Sequence, residues 1–271
     1  MIKDLHTKIC QLIKSAITEL PDDVMSALQK SIKKENGTGK SILEEIVKNC
    51  EHAKLNSKSI CQDTGTLIFY VKHPKGISET KIKKTINKAV ASCTKNILLR
   101  PNSINTLTEK NIGNIPTFYS EESQKLEINL LLKGGGSENV STIYQLPCEY
   151  INALRDFDGV RKCVLDAVMN AQGRGCPPYV VGVYIGGSVE EAAHFSKKQL
   201  LRQIQDKNKN QKLRKLEKNI LDEVNELKIG PMGLGGNVTA LAVKIGSGLR
   251  HPASFFVGIS MSCWCLRREK L

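Results

Sequence analysis

The chain has 271 residues, 40% hydrophobic and 25% charged, a balance that excludes wholesale disorder. A chain of this length buries roughly 70–75% of its unfolded surface, so it needs no disulfide or metal staple merely to fold. Forty Lys and Arg against 27 Asp and Glu leave a charge of +13, which favours anionic partners without choosing among nucleic acid, a membrane surface and a dicarboxylate.

No apolar run approaches the ~20 residues of a membrane span. Ile2, Leu5, Ile9, Leu12, Ile13, Ile17 and Leu20 fall on one helical stripe, with Lys3, Asp4, Lys8 and Lys14 elsewhere. That pattern predicts an amphipathic helix rather than a signal peptide, which needs an unbroken apolar centre. The nine cysteines, an odd number, therefore read as reduced thiols of a cytoplasmic protein. Residues 1–58 read as a helical region, with one helix starting at Asp22 or Asp23. Another is expected at Ser41, where Ser41 and Glu44 have capping-box spacing. Gly37-Thr38-Gly39-Lys40-Ser41 lacks the earlier glycine and the preceding strand of a phosphate loop, and reads as a turn between helices.

From Cys61 the texture changes. Thr66–Val71 is β-rich and closes at His73-Pro74-Lys75-Gly76. Ile82, Ile86, Ala89, Val90, Cys93 and Ile97 then recur at helical spacing. A strand from Leu126 to Leu132 runs into Gly134-Gly135-Gly136, and Val160, Cys163, Val164, Ala167, Val168 and Ala171 form the next stripe. The apolar run Tyr179–Ile185, without alternation, predicts a strand covered on both faces. Ser188 with Glu191 caps the following helix. Two basic helices are expected over 191–228, with nine Lys or Arg against two acids from Lys197 to Lys218; this reads as a solvated face. Strands at Thr239–Ile245 and Phe255–Ser260 complete the pattern. The expected fold class is α+β, with mixed sheets packed on helices, as one domain over 1–271: a helical part at 1–58 and a mixed core at 59–271.

Glycine-rich loops at 134–136, 186–187 and 233–236 each sit at a strand edge, where successive N–H groups can face an anion. Cys10, Cys50, Cys93 and Cys163 lie in helical stripes and read as core residues. Cys61, Cys176 and Cys263 instead sit beside turn residues. Cysteine followed by proline also recurs at iron–sulfur ligands. Their separations, 115 and 87 residues, leave open core, nucleophile and metal-ligand readings. Cys265 could pair with Cys263 as a ligand, or the two could point to opposite sides of a strand end. The five histidines show no ligand spacing.

Four strings, Cys61-Gln62-Asp63-Thr64-Gly65-Thr66, Gly134–Asn139, Cys176-Pro177-Pro178 and Ile229–Asn237, resemble the signatures of iron–sulfur hydro-lyases, the class I fumarases and L-tartrate dehydratases. The resemblance runs in order from about residue 5 to the C-terminus, and the length is similar to the separate α subunit of two-chain forms. It implies a [4Fe–4S] cluster held by Cys61, Cys176 and Cys263 with one iron open to substrate. Asp63 corresponds to the catalytic acid–base. Gln62, Arg100 and Gly134, Gly135 and Gly136 correspond to substrate contacts. It further implies a separate β subunit completing the site in a heterotetramer or larger assembly, a dicarboxylate or hydroxydicarboxylate substrate, and no nucleic acid or membrane partner. Fumarate hydration is the leading expectation, with tartrate dehydration and mesaconate hydration as alternatives. A basic nucleic-acid-binding protein and a thiol enzyme using Cys176 or Cys61 are the readings from other classes.

Overall fold

The computed structural model describes residues 4–96 and 99–271. Ile2, Lys3 and Ile97, which the stripe readings include, lie outside the described residues. The chain folds into two compact units: residues 1–21, 48–135 and 267–271 form the first, and residues 22–47 and 136–266 the second.

In the first unit, α1 (Leu5–Thr18) and α4 (Glu79–Lys95) present their predicted stripes to a four-stranded sheet. The sheet order is β2 (Thr117–Glu122), β1 (Thr66–His73), β3 (Glu127–Lys133), β8 (Arg267–Lys270). β2 is parallel to β1, whereas β3 is antiparallel to both β1 and β8. Alternate residues Leu67, Phe69 and Val71 of β1, and Ile128, Leu130 and Leu132 of β3, join Ile9, Ile13, Ile17, Ile86 and Val90 in one core. Ser78 caps α4, its side chain accepting from the Lys81 N–H.

The second unit is built on the sheet β4 (Thr142–Gln145), β7 (Phe256–Ser262), β5 (Tyr179–Ile185), β6 (Ala240–Ser247). β5 and β6 run parallel, while β7 is antiparallel to β5 and to β4. α6 (Phe157–Ala171) and α8 (Gln211–Glu226) bury Val160, Val164, Val168, Leu213, Ile220 and Val224 against one face, with Val181, Val183, Ile245 and Ile259. α7 (Val189–Gln199) covers the other face at unusually close range. A Cβ on Gly182 would lie 2.2 Å from the Ser196 carbonyl, and one on Gly258 would lie 2.1 Å from that of Ala192. The central strand is therefore buried on both faces, as its unbroken apolar run predicts. The Ser188–Glu191 capping box is present in full.

Two mixed sheets packed with helices make the fold α+β. Several boundaries differ from expectation. α2 (Asp22–Ile32) begins where predicted, but α3 (Gly37–Leu55) starts four residues before Ser41. Gly37–Ser41 is thus the first turn of a helix, not a turn between helices. The Ser41 hydroxyl donates to the Gly37 carbonyl from inside it. The physical reason is close approach: a Cβ on Gly39 would fall 2.9 Å from Oε2 of the buried Glu35. β2, β4 and β8 were not anticipated, and β8 follows the strand expected to be last. The basic face is solvated at Lys207, Lys209, Lys212, Lys215 and Lys218, while its two acids, Asp206 and Glu217, bind Arg202. Among the described residues, no helix is long and apolar enough to cross a membrane.

Candidate functional site

The first unit gathers three of the singled-out segments, at Cys61–Thr66, Arg100 and the glycine triplet, into one hydrogen-bonded set. The turn after Cys61 depends on Gly65, whose φ is +79° and whose Cβ, if present, would press to 3.1 Å on the Lys133 backbone. Asp63 is clamped by that turn. Its Oδ1 accepts from the Gly65 N–H at 2.9 Å, and its Oδ2 accepts from the Gly135 N–H at 2.8 Å. The Asp63 carbonyl accepts from Arg267 Nη2 at 2.8 Å. Arg100 is joined to the same turn through its own N–H, which donates to Thr64 Oγ1 at 3.2 Å, while Asn102 Nδ2 donates to the Gly65 carbonyl at 3.0 Å. The Arg100 guanidinium is exposed, with a 3.4 Å bond to the Gln62 carbonyl. Gln62 is exposed and Cys61 half-buried. Asp63, fixed at both oxygens, retains lone pairs for a proton, and Arg100 offers its fork to a carboxylate.

Two basic residues here escaped the sequence reading. Arg267 is 1% exposed and holds the Asp63 backbone; Lys133 is 2% exposed at the last position of β3, immediately before Gly134. Position beside the glycine triplet was an available signal for Lys133. Arg267, in a run of charges at the chain end, offered none.

The second unit holds Gly136, Cys176 and Cys263. Five non-glycine residues of this unit adopt left-handed backbone, and three of them surround Cys176: Gln172 at φ +47°, Cys176 itself at +57° and Met232 at +55°. Such residues persist only where their surroundings over-determine them. The surroundings are visible. The Met232 N–H donates to the Pro177 carbonyl at 2.8 Å, and a Cβ on Gly173 would sit 2.9 Å from the Met232 carbonyl. The Ile229–Asn237 loop is therefore packed directly on the loop bearing Cys176. Its far end is held by Glu35, whose Oε1 accepts from the Val238 N–H at 2.5 Å. Cys176 and Cys263 come from adjoining segments, because the Trp264 N–H donates to the Cys176 carbonyl at 3.1 Å. Gly136 lies near the same loop, 3.5 Å being the distance from its would-be Cβ to the Arg174 carbonyl.

The nine cysteines divide by environment. Burial pushes the Cys50, Cys93 and Cys163 thiols up to about 12, with Glu51, Cys10 and Cys148 respectively adding to it. These are inert core groups. Cys61, Cys176 and Cys263 are half-buried, whereas Cys265 is 3% exposed. Cys263 and Cys265 differ in exposure, but not by the strand alternation expected, which would put positions two apart on one face; both lie past the end of β7 at Ser262, in the segment before β8. Among the described residues, no three His, Cys, Asp or Glu side chains close on a point suited to one metal ion. An iron–sulfur cluster asks for a different donor set, thiolates alone, each bound to its own iron. Three accessible thiols, two on adjoining segments, have the chemistry of that set.

A family model described as Fumarate hydratase (Fumerase) matches residues 6–271. The chain belongs to the fumarate hydratase (Fumerase) family. Among its relatives is a protein of Geobacillus stearothermophilus provisionally named fumarate hydratase class I, 43% identical over 279 aligned positions. That alignment covers 98% of this chain but only 54% of the relative, so the chain spans about half the length of that Fumerase. A Methanocaldococcus jannaschii protein, provisionally named L(+)-tartrate dehydratase subunit alpha, is 37% identical, with 96% of this chain and 94% of the relative covered. The Escherichia coli K12 protein named L(+)-tartrate dehydratase subunit alpha is 32% identical over 94% of this chain and 86% of its own length.

Proposed function

We propose that this chain is the cluster-bearing part of an iron–sulfur hydro-lyase, and that its reaction is the reversible hydration of fumarate to (S)-malate. The observation that most supports this is the clamped Asp63 carboxylate, held by the Gly65 and Gly135 N–H groups beside the exposed Arg100. The family match and the fumarate hydratase name of the 43% identical relative support the choice of substrate.

In this reading Cys61, Cys176 and Cys263 hold a [4Fe–4S] cluster. When bound, the cluster supplies a Lewis-acidic iron for the hydroxyl that leaves or adds. The chain's own residues do the rest. Arg100 grips a substrate carboxylate with parallel N–H bonds, setting both its position and its orientation. Gln62, on the same turn, is a second polar contact. Asp63 exchanges a proton with the hydroxyl, its carboxylate kept at one angle by two backbone donors. The Gly134–Gly136 segment brings backbone N–H groups close to the substrate because no side chain intervenes. A separate β chain supplies the group acting on the carbon-bound proton, so this polypeptide alone is inactive.

Tartrate dehydration is the second reading. It is favoured by one observation: the two relatives named tartrate dehydratase subunit alpha are matched over 94% and 86% of their lengths. Anaerobic purification with the partner chain, followed by iron and sulfide assay and turnover of both substrates, decides between them. Fumarate turnover dependent on both chains and on iron is the expected result. Turnover of tartrate alone selects the second reading. A two-chain preparation with no iron–sulfur content defeats both.

A further inference from the structure

We propose that the Tyr179 hydroxyl is a positioning group for Cys176, fixing the left-handed turn that presents this thiol. The proposal rests on the reading above only for what the thiol binds. Left-handed backbone is unfavourable for residues with a Cβ, and Gln172 and Cys176 both adopt it within five residues. Tyr179 spans the segment between them. Its hydroxyl donates to the Gln172 carbonyl at 2.7 Å and accepts from the Gly175 N–H at 3.1 Å.

One oxygen therefore clasps the end of α6 to the residue immediately before Cys176. Tyr179 is fully buried, so water does not stand in for that oxygen if it is removed. The fit is tight as well: a Cβ on Gly175 would lie 2.8 Å from the Tyr179 ring and 3.0 Å from its oxygen. Glycine is required at 175 by the clasp, although its φ is not left-handed. Backbone bonds also hold Cys176, from its own N–H to the Gly173 carbonyl and from the Trp264 N–H to its carbonyl. Tyr179→Phe keeps the ring in the core and deletes the clasp.

The test is the rate at which iodoacetamide modifies each cysteine in the full-length chain, reduced and stripped of iron by a chelator, read by peptide mass spectrometry. In Tyr179→Phe, Cys176 is expected to react about tenfold faster than in wild type, the size of one lost buried hydrogen bond. Cys61 and Cys263 are expected to stay within about twofold, since the opening is local. Tyr144→Phe is the control. Its hydroxyl is likewise bonded, to Asp166 at 2.7 Å, in a buried residue, but holds no turn; Cys176 should keep its wild-type rate there. An unchanged Cys176 rate in Tyr179→Phe, or equal acceleration at all three cysteines, overturns the proposal.

The wild-type chain gives a check that needs no variant. The Gly175 amide should exchange its hydrogen as slowly as the core amides of β5, and rapid exchange overturns the clasp. Absence of iron and sulfide from the anaerobic wild-type protein would defeat the hydro-lyase reading, while the alkylation rates would still decide Tyr179.

Discussion

Asp63 and Arg100 are anchored in different ways, and their substitutions separate accordingly. Asp63 uses both carboxylate oxygens to hold backbone N–H groups. Asp63→Asn keeps an acceptor and nearly the same shape but loses proton exchange. In the two-chain enzyme it should retain iron and lower kcat by about 10²–10⁴-fold. Arg100 is tied through its backbone, with its guanidinium exposed, so Arg100→Lys should fold normally and raise KM by losing the two-point grip. The buried thiols make a prediction about pH. Cys50, Cys93 and Cys163 titrate at about 12 in the folded chain against 9.0 for an ordinary thiol. Above pH 9 the unfolded chain sheds these protons and the folded chain does not. Stability is therefore intact below pH 9 and declines between pH 9 and about 12, by roughly 1.4 kcal/mol per pH unit for each thiol. Urea titrations from pH 8 to 11 should show the slope, and Cys163→Ala should flatten it by one group's share.

Elements with a strong apolar period were legible in the sequence, and those stabilised by long-range pairing were not. The α1, α4, α6 and α8 stripes bury the residues their spacing selects. β5 is covered on both faces for the reason its composition suggests. β2 reads Thr-Phe-Tyr-Ser-Glu-Glu and is largely exposed, so nothing local distinguishes it from a polar loop; pairing with β1 makes it a strand. β8 reads Arg-Arg-Glu-Lys, yet Arg267 and Arg268 are buried and the strand pairs with β3. The site divides along the same line. Cys61, Asp63, Gly135 and Cys176 stood beside turn signals, whereas Arg267 acts on Asp63 across 204 residues. The closeness of α7 to its sheet was equally invisible, because it depends on which strand positions face that helix. Gly182→Ala and Gly258→Ala should each cost about 1–3 kcal/mol or more from overpacking. Ser188→Ala, which removes one half of the capping box, should cost only about 1 kcal/mol. Denaturant unfolding of the three variants checks this order, and an equal or larger loss at Ser188 contradicts it.

At the scale of the whole molecule, the chain makes two compact units. The first unit is assembled from three stretches and the second from two. Proposed ligands fall in both, Cys61 in the first, Cys176 and Cys263 in the second. Replacing any of these three with Ser should remove bound iron from the anaerobic protein, while Cys50→Ser or Cys163→Ser should leave it, as iron and sulfide analysis will read. The discontinuity also has a temporal side. Arg267 grips the carbonyl of Asp63 across 204 residues, and β8 leaves the ribosome after β1 to β7. At about 5–20 residues per second, Asp63 is translated roughly 10–40 s before its anchor exists. During that interval the nascent first unit has an open sheet edge at β3 and an unfastened turn at Asp63, so that turn is completed only once β8 has been made.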